Sequence, residues 1–363
     1  MIKLNYISEI ILPSKSAYSV QVMKMCDAFS KKDFNIELFV LNRKAHVKKI
    51  YKTYNCSKKF KIRSTNITNN NFIGRLRFAY KIIKKLKKKS FDEIYYSRSV
   101  ISGILLSFYT KNVIIEIHHS LKGFTFILFS ILKNLNSFKN IKFIFISKDL
   151  EKLFNLSNKT IVLDDAVDLE NFNKVKSKVK INKTCVYTGS FSKGKGLETI
   201  IEIARLLPDI SFHLYGDLIN TLISKKDLAN IKNIAYMGYV DNRKIPKILS
   251  LYNLYMMPYS NKVFVRSKNI EVSKYMSPLK LFEYLASDGV LFASDMKVYK
   301  HILNQKNCVL IKDNSINEWA KKISIFFKKK SRFKHLSINA SKVAKKNTWN
   351  IRVEKIKKFI NVV

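Results

Sequence analysis

Short runs rich in β-branched and aromatic residues alternate along the chain with longer stretches whose apolar positions recur at helical spacing. That alternation predicts an α/β protein with parallel sheets covered by helices on both faces. In the first half the pattern predicts strands over residues 3–7, 35–40, 92–96, 113–117, 142–146 and 160–163. In the second half it predicts them over 184–188, 211–215, 234–237, 254–257, 290–293 and 308–311. Helical period fills most of the gaps, clearest over 20–31, where Val22, Met25, Cys26 and Phe29 form one stripe, and again over 197–207 and 280–287. No short repeat recurs, which excludes solenoids and propellers.

The two runs of strands are separated by a polar, lysine-rich stretch at 171–183. Two Rossmann-like, doubly wound domains are therefore expected to face each other across a cleft, with ligands at the carboxyl ends of the strands. A length of 363 residues suits two such domains.

Charge changes the picture of possible partners. Lysine and arginine number 68 against 26 aspartates and glutamates, a formal net charge of +42. Nucleic acid, anionic lipid and phosphorylated substrates would all be attracted, although lysines spread over solvated faces need no partner at all. No zinc-finger, helix-turn-helix or RNP-like signature accompanies the charge, so nucleic acid is not the expected partner. The four cysteines stand far apart with no paired spacing, which suggests neither a metal site nor a disulfide framework and fits a reducing cytoplasm. The start reads as a strand running into Ser14 and Ser16, not as a signal peptide. The apolar runs 101–109 and 124–132 fall short of the ~20 residues that cross a bilayer. A helix expected over Arg75 to Lys89 carries Phe78, Ile82 and Leu86 on one stripe with cations around it. It suits either an anionic membrane surface, with attachment to its cytoplasmic face, or packing against the core with a solvated lysine face.

Two segments carry candidate chemistry. The run Tyr187-Thr188-Gly189-Ser190-Phe191-Ser192-Lys193-Gly194-Lys195-Gly196 follows a strand and opens a helix. Its glycines permit close backbone approach, the helix start offers N–H groups, and Lys195 adds a full charge, which outlines a diphosphate site. An ordinary strand-to-helix turn has the same composition. In the second run, Tyr275 to Ala286, Ser277 is expected to cap a helix and Pro278 to sit in its first turn. Glu283 then lies just over a turn along, placed to accept from a ribose diol or simply to face solvent.

Together these segments resemble the donor half of family-4 glycosyltransferases. The resemblance extends in order through Gln21-Val22-Met23, Tyr96-Ser97-Arg98, Glu116-Ile117-His118, Asp165-Ala166-Val167-Asp168, Tyr215-Gly216-Asp217, Gly238-Tyr239-Val240 and Met257-Pro258-Tyr259. It implies a GT-B fold with an acceptor-side domain over 1–168, a donor-binding domain over 169–345, and a last helix in 346–363 returning to the first domain. It further implies a hexosyltransferase acting on a nucleotide-diphosphate sugar, UDP- or GDP-linked. The acceptor would be a glycan or lipid-linked molecule of surface polysaccharide, lipopolysaccharide or glycolipid synthesis. Transfer would proceed with retention and without a metal or other cofactor. Lys195 matches the lysine on the donor diphosphate, Glu283 the glutamate on the ribose, and His118 the histidine near the reacting sugar. Gly189, Ser190, Ser277, Pro278 and Leu279 line the phosphate side, and Tyr239 and Val240 the base.

The sequence also departs from the pattern. Tyr275 replaces the first glutamate of the family's pair, Ser190 stands where an arginine often assists Lys195, Tyr18-Ser19 replaces an N-terminal glycine turn, and Asp288 stands where a glycine usually follows. A relative that binds nucleotide-sugar with lost or altered activity is therefore an alternative. A basic nucleic-acid-binding protein is a second.

Overall fold

A computed structural model describes residues 2–56, 60–86, 93–135, 138, 140–157, 159–175, 177, 179–218, 221–265, 270–312 and 315–361. Asp92, Lys87 to Lys89, Lys176, Lys178, Val362 and Val363, which belong to expected elements, lie outside these residues. The chain divides into two units: Met1–Asp165 together with Trp349–Val363, and Ala166–Thr348.

In the first unit the strands are β1 (Ile2–Leu12), β2 (Phe34–Arg43), β3 (Lys61–Ser64), β4 (Ile94–Ser97), β5 (Val113–Ile117), β6 (Ile141–Phe145) and β7 (Thr160–Val162). They form one sheet in the order β3-β2-β1-β4-β5-β6-β7 with parallel pairings. The second unit has β8 (Thr184–Thr188), β9 (Ser211–Tyr215), β10 (Ile234–Gly238), β11 (Leu254–Met257), β12 (Val290–Ser294) and β13 (Val309–Ile311). Their order is β10-β9-β8-β11-β12-β13, again parallel. Each sheet starts in its middle, winds out to one edge, then returns to the other side of its first strand. The winding therefore reverses between β1 and β4 and between β8 and β11, and a parallel sheet of this kind offers its ligand crevice beyond the strand ends at such a point.

Burial on both faces explains why the central strands read as unbroken apolar runs. Every residue of β5, β8, β11 and β12 is buried. The second unit's core gathers Phe212, Leu214, Phe292, Trp319, Ile323 and Phe326 around its sheet. β3 was not expected from the sequence. It is an edge strand in which only Ile62 is turned inward between charged neighbours, and Arg63 pairs with Glu37 at 2.5 Å, so it lacks the apolar run that marks an interior strand.

The last helix, Trp349–Ile360, belongs to the first unit. Arg352 on it is 3% exposed and reaches Glu116 of β5 at 2.8 Å. Its guanidinium also donates to the carbonyls of Asp164 at 2.8 Å and Leu163 at 3.3 Å.

Of the two readings of one helix the core-packed one holds, and one capping expectation is corrected. In the helix Phe72–Leu86, the stripe Phe78, Ile82 and Leu86 is buried in the core, so these side chains do not face a membrane. Ser277 does not cap the following helix: Pro278 occupies the N-cap position in extended conformation, and the helix runs Leu279–Leu285 without a side-chain cap bond. Proline before the first helical residue fixes φ without needing a donor, which serves the same boundary. Among the described residues no helix is long and apolar enough to cross a membrane.

Candidate active site

In the second unit the site grows from the carboxyl end of β8. Gly189 follows the strand with φ 130° and donates its N–H to the Tyr215 carbonyl at 2.8 Å. The turn continues through Ser190, whose hydroxyl accepts from the Lys195 ammonium at 2.8 Å. The helix Leu197–Leu206 then starts from Gly196. The expected role of the glycines in admitting a ligand changes here. A Cβ on Gly194 would lie 1.8 Å from the Lys262 carbonyl oxygen, and one on Gly196 2.1 Å from that of Pro258. Both glycines therefore let the chain's own segment after β11 cross the loop. Gly189 differs: its absent side chain makes room for Lys280, whose Nζ lies 2.8 Å from where a Cβ would stand.

The second side of the site comes from the helix Leu279–Leu285. Residues three apart share a helix face, so Lys280 and Glu283 project together. Asn242, in the turn after β10, donates to the Glu283 carboxylate at 2.8 Å. Tyr239 and Val240 lie on the segment between Gly238 and Asn242 that leads to this contact. Tyr284 anchors the helix from behind by accepting from the Thr188 N–H at 2.8 Å.

The Lys280 side chain is 9% exposed, and its Nζ is buried with no hydrogen-bond partner among the described residues. The ammonium sits 3.5 Å from the centroid of the Tyr187 ring and 5.2 Å from that of Tyr259. Burial first, and then the Lys195 charge, push its pKa well below the usual lysine range, while Glu283 pulls it back. Lys195 and Glu283 thus both lie within electrostatic reach of one buried cation. The structure brings Gly189, Ser190, Lys195 and Glu283 together, with Leu279 at the start of the Glu283 helix and Ser277 and Pro278 leading into it.

Tyr275, in place of an acidic residue, is buried, and its hydroxyl donates to the Glu271 carbonyl at 2.6 Å. Asp288 is exposed beyond the helix, and the neighbouring Gly289 packs where a Cβ would meet the Tyr255 ring at 2.6 Å.

His118 belongs to the first unit, just beyond β5. Its Nε2 lies 2.5 Å from Glu116 Oε1. Burial, then the Arg98 charge, push the imidazole down to about 3, against the opposing pull of Glu116. The ring is therefore neutral, donates from Nε2–H, and presents Nδ1 as an acceptor. His119 is exposed, with Nδ1 2.9 Å from the Ser120 carbonyl. Glu116 is fully buried and also accepts from Arg352 at 2.8 Å, Gln21 at 3.1 Å and the Tyr96 hydroxyl. Burial alone would raise this carboxyl, but Arg352, His118 and Arg98 outweigh it and hold it well below the usual carboxylate range. Arg98 in turn stacks 4.5 Å from the centroid of the Tyr18 ring and donates to Gln21. Tyr18, read as a departure from a glycine turn, thus has a defined packing partner.

Sequence reasoning missed Lys280, Asn242, Glu116 and Arg352 as parts of these clusters. Lys280 carried a usable signal, a cation one helical turn from Glu283 inside an apolar run. Arg352 carried none, because its carboxylate partner is 236 positions away.

Two doubly wound parallel units are the architecture of GT-B glycosyltransferases. Residues 168–343 match the family model for Glycosyl transferases group 1, and the two-sheet fold matches that of solved GT-B glycosyltransferases. Anabaena Alr3699/HepE, solved in complex with UDP and glucose, superposes with a TM-score of 0.73 at 12% identity, covering 99% of this chain and all (100%) of that one. S. aureus TarM, solved as a mutant with Fondaparinux, alpha-GlcNAc-glycerol and UDP, gives 0.72 at 14% identity over 99% of this chain and 100% of that one. WaaG, a glycosyltransferase involved in lipopolysaccharide biosynthesis, gives 0.64 at 12% identity over 98% and 99%. In sequence, an uncharacterized 41.2 kDa protein in the cps region of Klebsiella pneumoniae is 24% identical over 206 residues. That alignment spans 49% of this chain and 56% of the relative.

Proposed function

We propose that this chain transfers a hexose from a UDP- or GDP-sugar to a glycan or lipid-linked acceptor, with retention at the anomeric carbon and in the manner of family-4 enzymes. The reading is carried by Lys280, which fills the space at Gly189 in the turn where Lys195 bonds Ser190, and which shares a helix face with Glu283, beside the β8/β11 switch point. Glu283 holds the ribose diol, with Asn242 fixing its carboxylate. Lys195 and the first N–H groups of the helix Leu197–Leu206 face the diphosphate, where negative charge grows as the glycosidic bond breaks. His118, neutral and tethered to Glu116, offers Nδ1 to a sugar hydroxyl. Base choice falls to the segment of Tyr239 and Val240. The UDP complexes of HepE and TarM support a nucleotide-sugar donor, and the cps-region relative and WaaG support a product on the cell surface.

The test is transfer from radiolabelled UDP- and GDP-sugars to a lipid and glycan extract of the producing cell. Product formed from one donor supports the proposal, and none from either contradicts it. A second outcome, tight donor binding without turnover, would favour the inactive relative. Tyr275 supports that alternative, since its hydroxyl is committed to the Glu271 carbonyl.

Attachment to the cytoplasmic face of an anionic membrane completes the reading. The surface that suits it is not the stripe expected on the helix Phe72–Leu86. On the helix Gly123–Asn134, Phe124, Ile127 and Ile131 share one side with Leu135 just beyond, and all four are more than half exposed. Phe124 meets Phe72 edge-on at 4.8 Å, which joins this stripe to exposed Ile73, Leu76 and Tyr80. The helix Phe72–Leu86 brings cations alongside, Arg77, Lys84 and Lys85 among them. An apolar stripe beside cations lies in a lipid interface. Replacing Ile127 and Ile131 by aspartate is expected to lower co-sedimentation with phosphatidylglycerol vesicles at least tenfold while leaving the melting temperature within about 2 °C. Unchanged sedimentation would contradict the attachment.

A further inference from the structure

We propose that Lys280 is a second diphosphate-binding cation, built into the floor of the donor site to supply the charge that Ser190 does not. The inference rests on the donor-site reading above and deepens it. A lysine ammonium buried without a hydrogen-bond partner is a costly arrangement in a protein interior, and it persists where a ligand or a charge partner compensates it. Among the described residues its Nζ meets no hydrogen-bond acceptor and faces two rings, Tyr187 at 3.5 Å and Tyr259 at 5.2 Å. The surroundings are shaped to hold the cation: any side chain at residue 189 would strike its Cε and Nζ, both 2.8 Å from the Cβ position. The same turn carries Ser190, whose hydroxyl already accepts from Lys195. A diphosphate drawn to Lys195 therefore arrives within one side-chain rotation of Lys280, with the ring of Tyr187 beneath.

The groups facing Lys280 also fix how it responds to pH. Tyr187 on β8, Tyr259 after β11, Lys195 from the glycine loop and Glu283 from its own helix face it. Of these, burial and Lys195 favour the neutral amine, Glu283 favours the ammonium, and an arriving diphosphate adds strongly to Glu283. Binding is therefore expected to take up a proton at alkaline pH, and affinity to fall as pH rises.

Calorimetric titration of UDP and GDP into the whole protein at pH 8, in two buffers of different ionisation enthalpy, tests this. Charge-assisted hydrogen bonds contribute about 1.5–3 kcal/mol, so Lys280→Met should weaken the preferred nucleotide about 10- to 100-fold. The proton uptake should vanish, and binding of the parent nucleoside should change less than twofold. The melting temperature of Lys280→Met should hold or rise, because a buried amine without a hydrogen-bond partner has been removed. A purely structural lysine would instead lower the melting temperature and weaken nucleotide and nucleoside alike. Nucleotide affinity and proton uptake unchanged in Lys280→Met, with Lys195→Ala and Glu283→Ala impaired, would overturn this inference and leave the donor site standing. No binding of either nucleotide by the unaltered protein would overturn both.

Discussion

Arg352→Met is expected to destabilise the first unit by about 3–5 kcal/mol, the effect of stripping one partner from a buried ion pair. Glu116 would stay behind at 0% side-chain exposure with its main countercharge gone. For a unit of this size the melting temperature should fall by roughly 10 °C. Arg352→Met combined with Glu116→Leu should recover much of the loss, since an apolar pair removes the stranded charge; the double-mutant cycle measures the coupling. The pH dependence has a definite sign. The folded-state pKa of Glu116 is depressed, so its contribution is present above the ordinary glutamate range and is lost as pH falls through the lowered value. In Arg352→Met that loss should begin at higher pH. Denaturant titrations from pH 3 to pH 7 would show it, and coincident curves for the two proteins would rule the cluster out as a source of stability.

The second large effect is on turnover. Lys195→Ala should reduce kcat about 100-fold, since a cation facing charge that develops on the leaving group acts mainly in the transition state. Glu283→Ala should reduce kcat/KM at least tenfold, chiefly through KM, because a ribose contact is made equally in the bound donor and the transition state. Steady-state rates on the donor found by the transfer assay separate the two. Full activity in both variants would dissolve the site.

Most of the frame was legible in the residues. β5, β8, β9 and β11 coincide with the expected runs end to end, because strands packed between helices are mostly apolar and the segments flanking them here are polar turns. β3 was invisible for the opposite reason, being a half-exposed edge with one inward residue. Lys195 and Glu283 could be picked out by residue type in an ordered motif set, whereas their surroundings could not. Asn242 reaches Glu283 across 41 positions, and the glycines at 194 and 196 turned out to accommodate the chain itself. The stripe on Phe72–Leu86 shows the limit of periodicity: it marks an apolar face, and the same face serves a core as readily as a membrane. Only packing distinguished the buried Phe78 from the exposed Phe124.

The account stands on nucleotide recognition by the second unit, and a thermal-shift series with UDP, GDP, ADP and CMP addresses it directly. One nucleoside diphosphate should raise the melting temperature in a saturable way, and the rise should shrink in Glu283→Ala. A flat response to all four, or an equal rise in that variant, would contradict it.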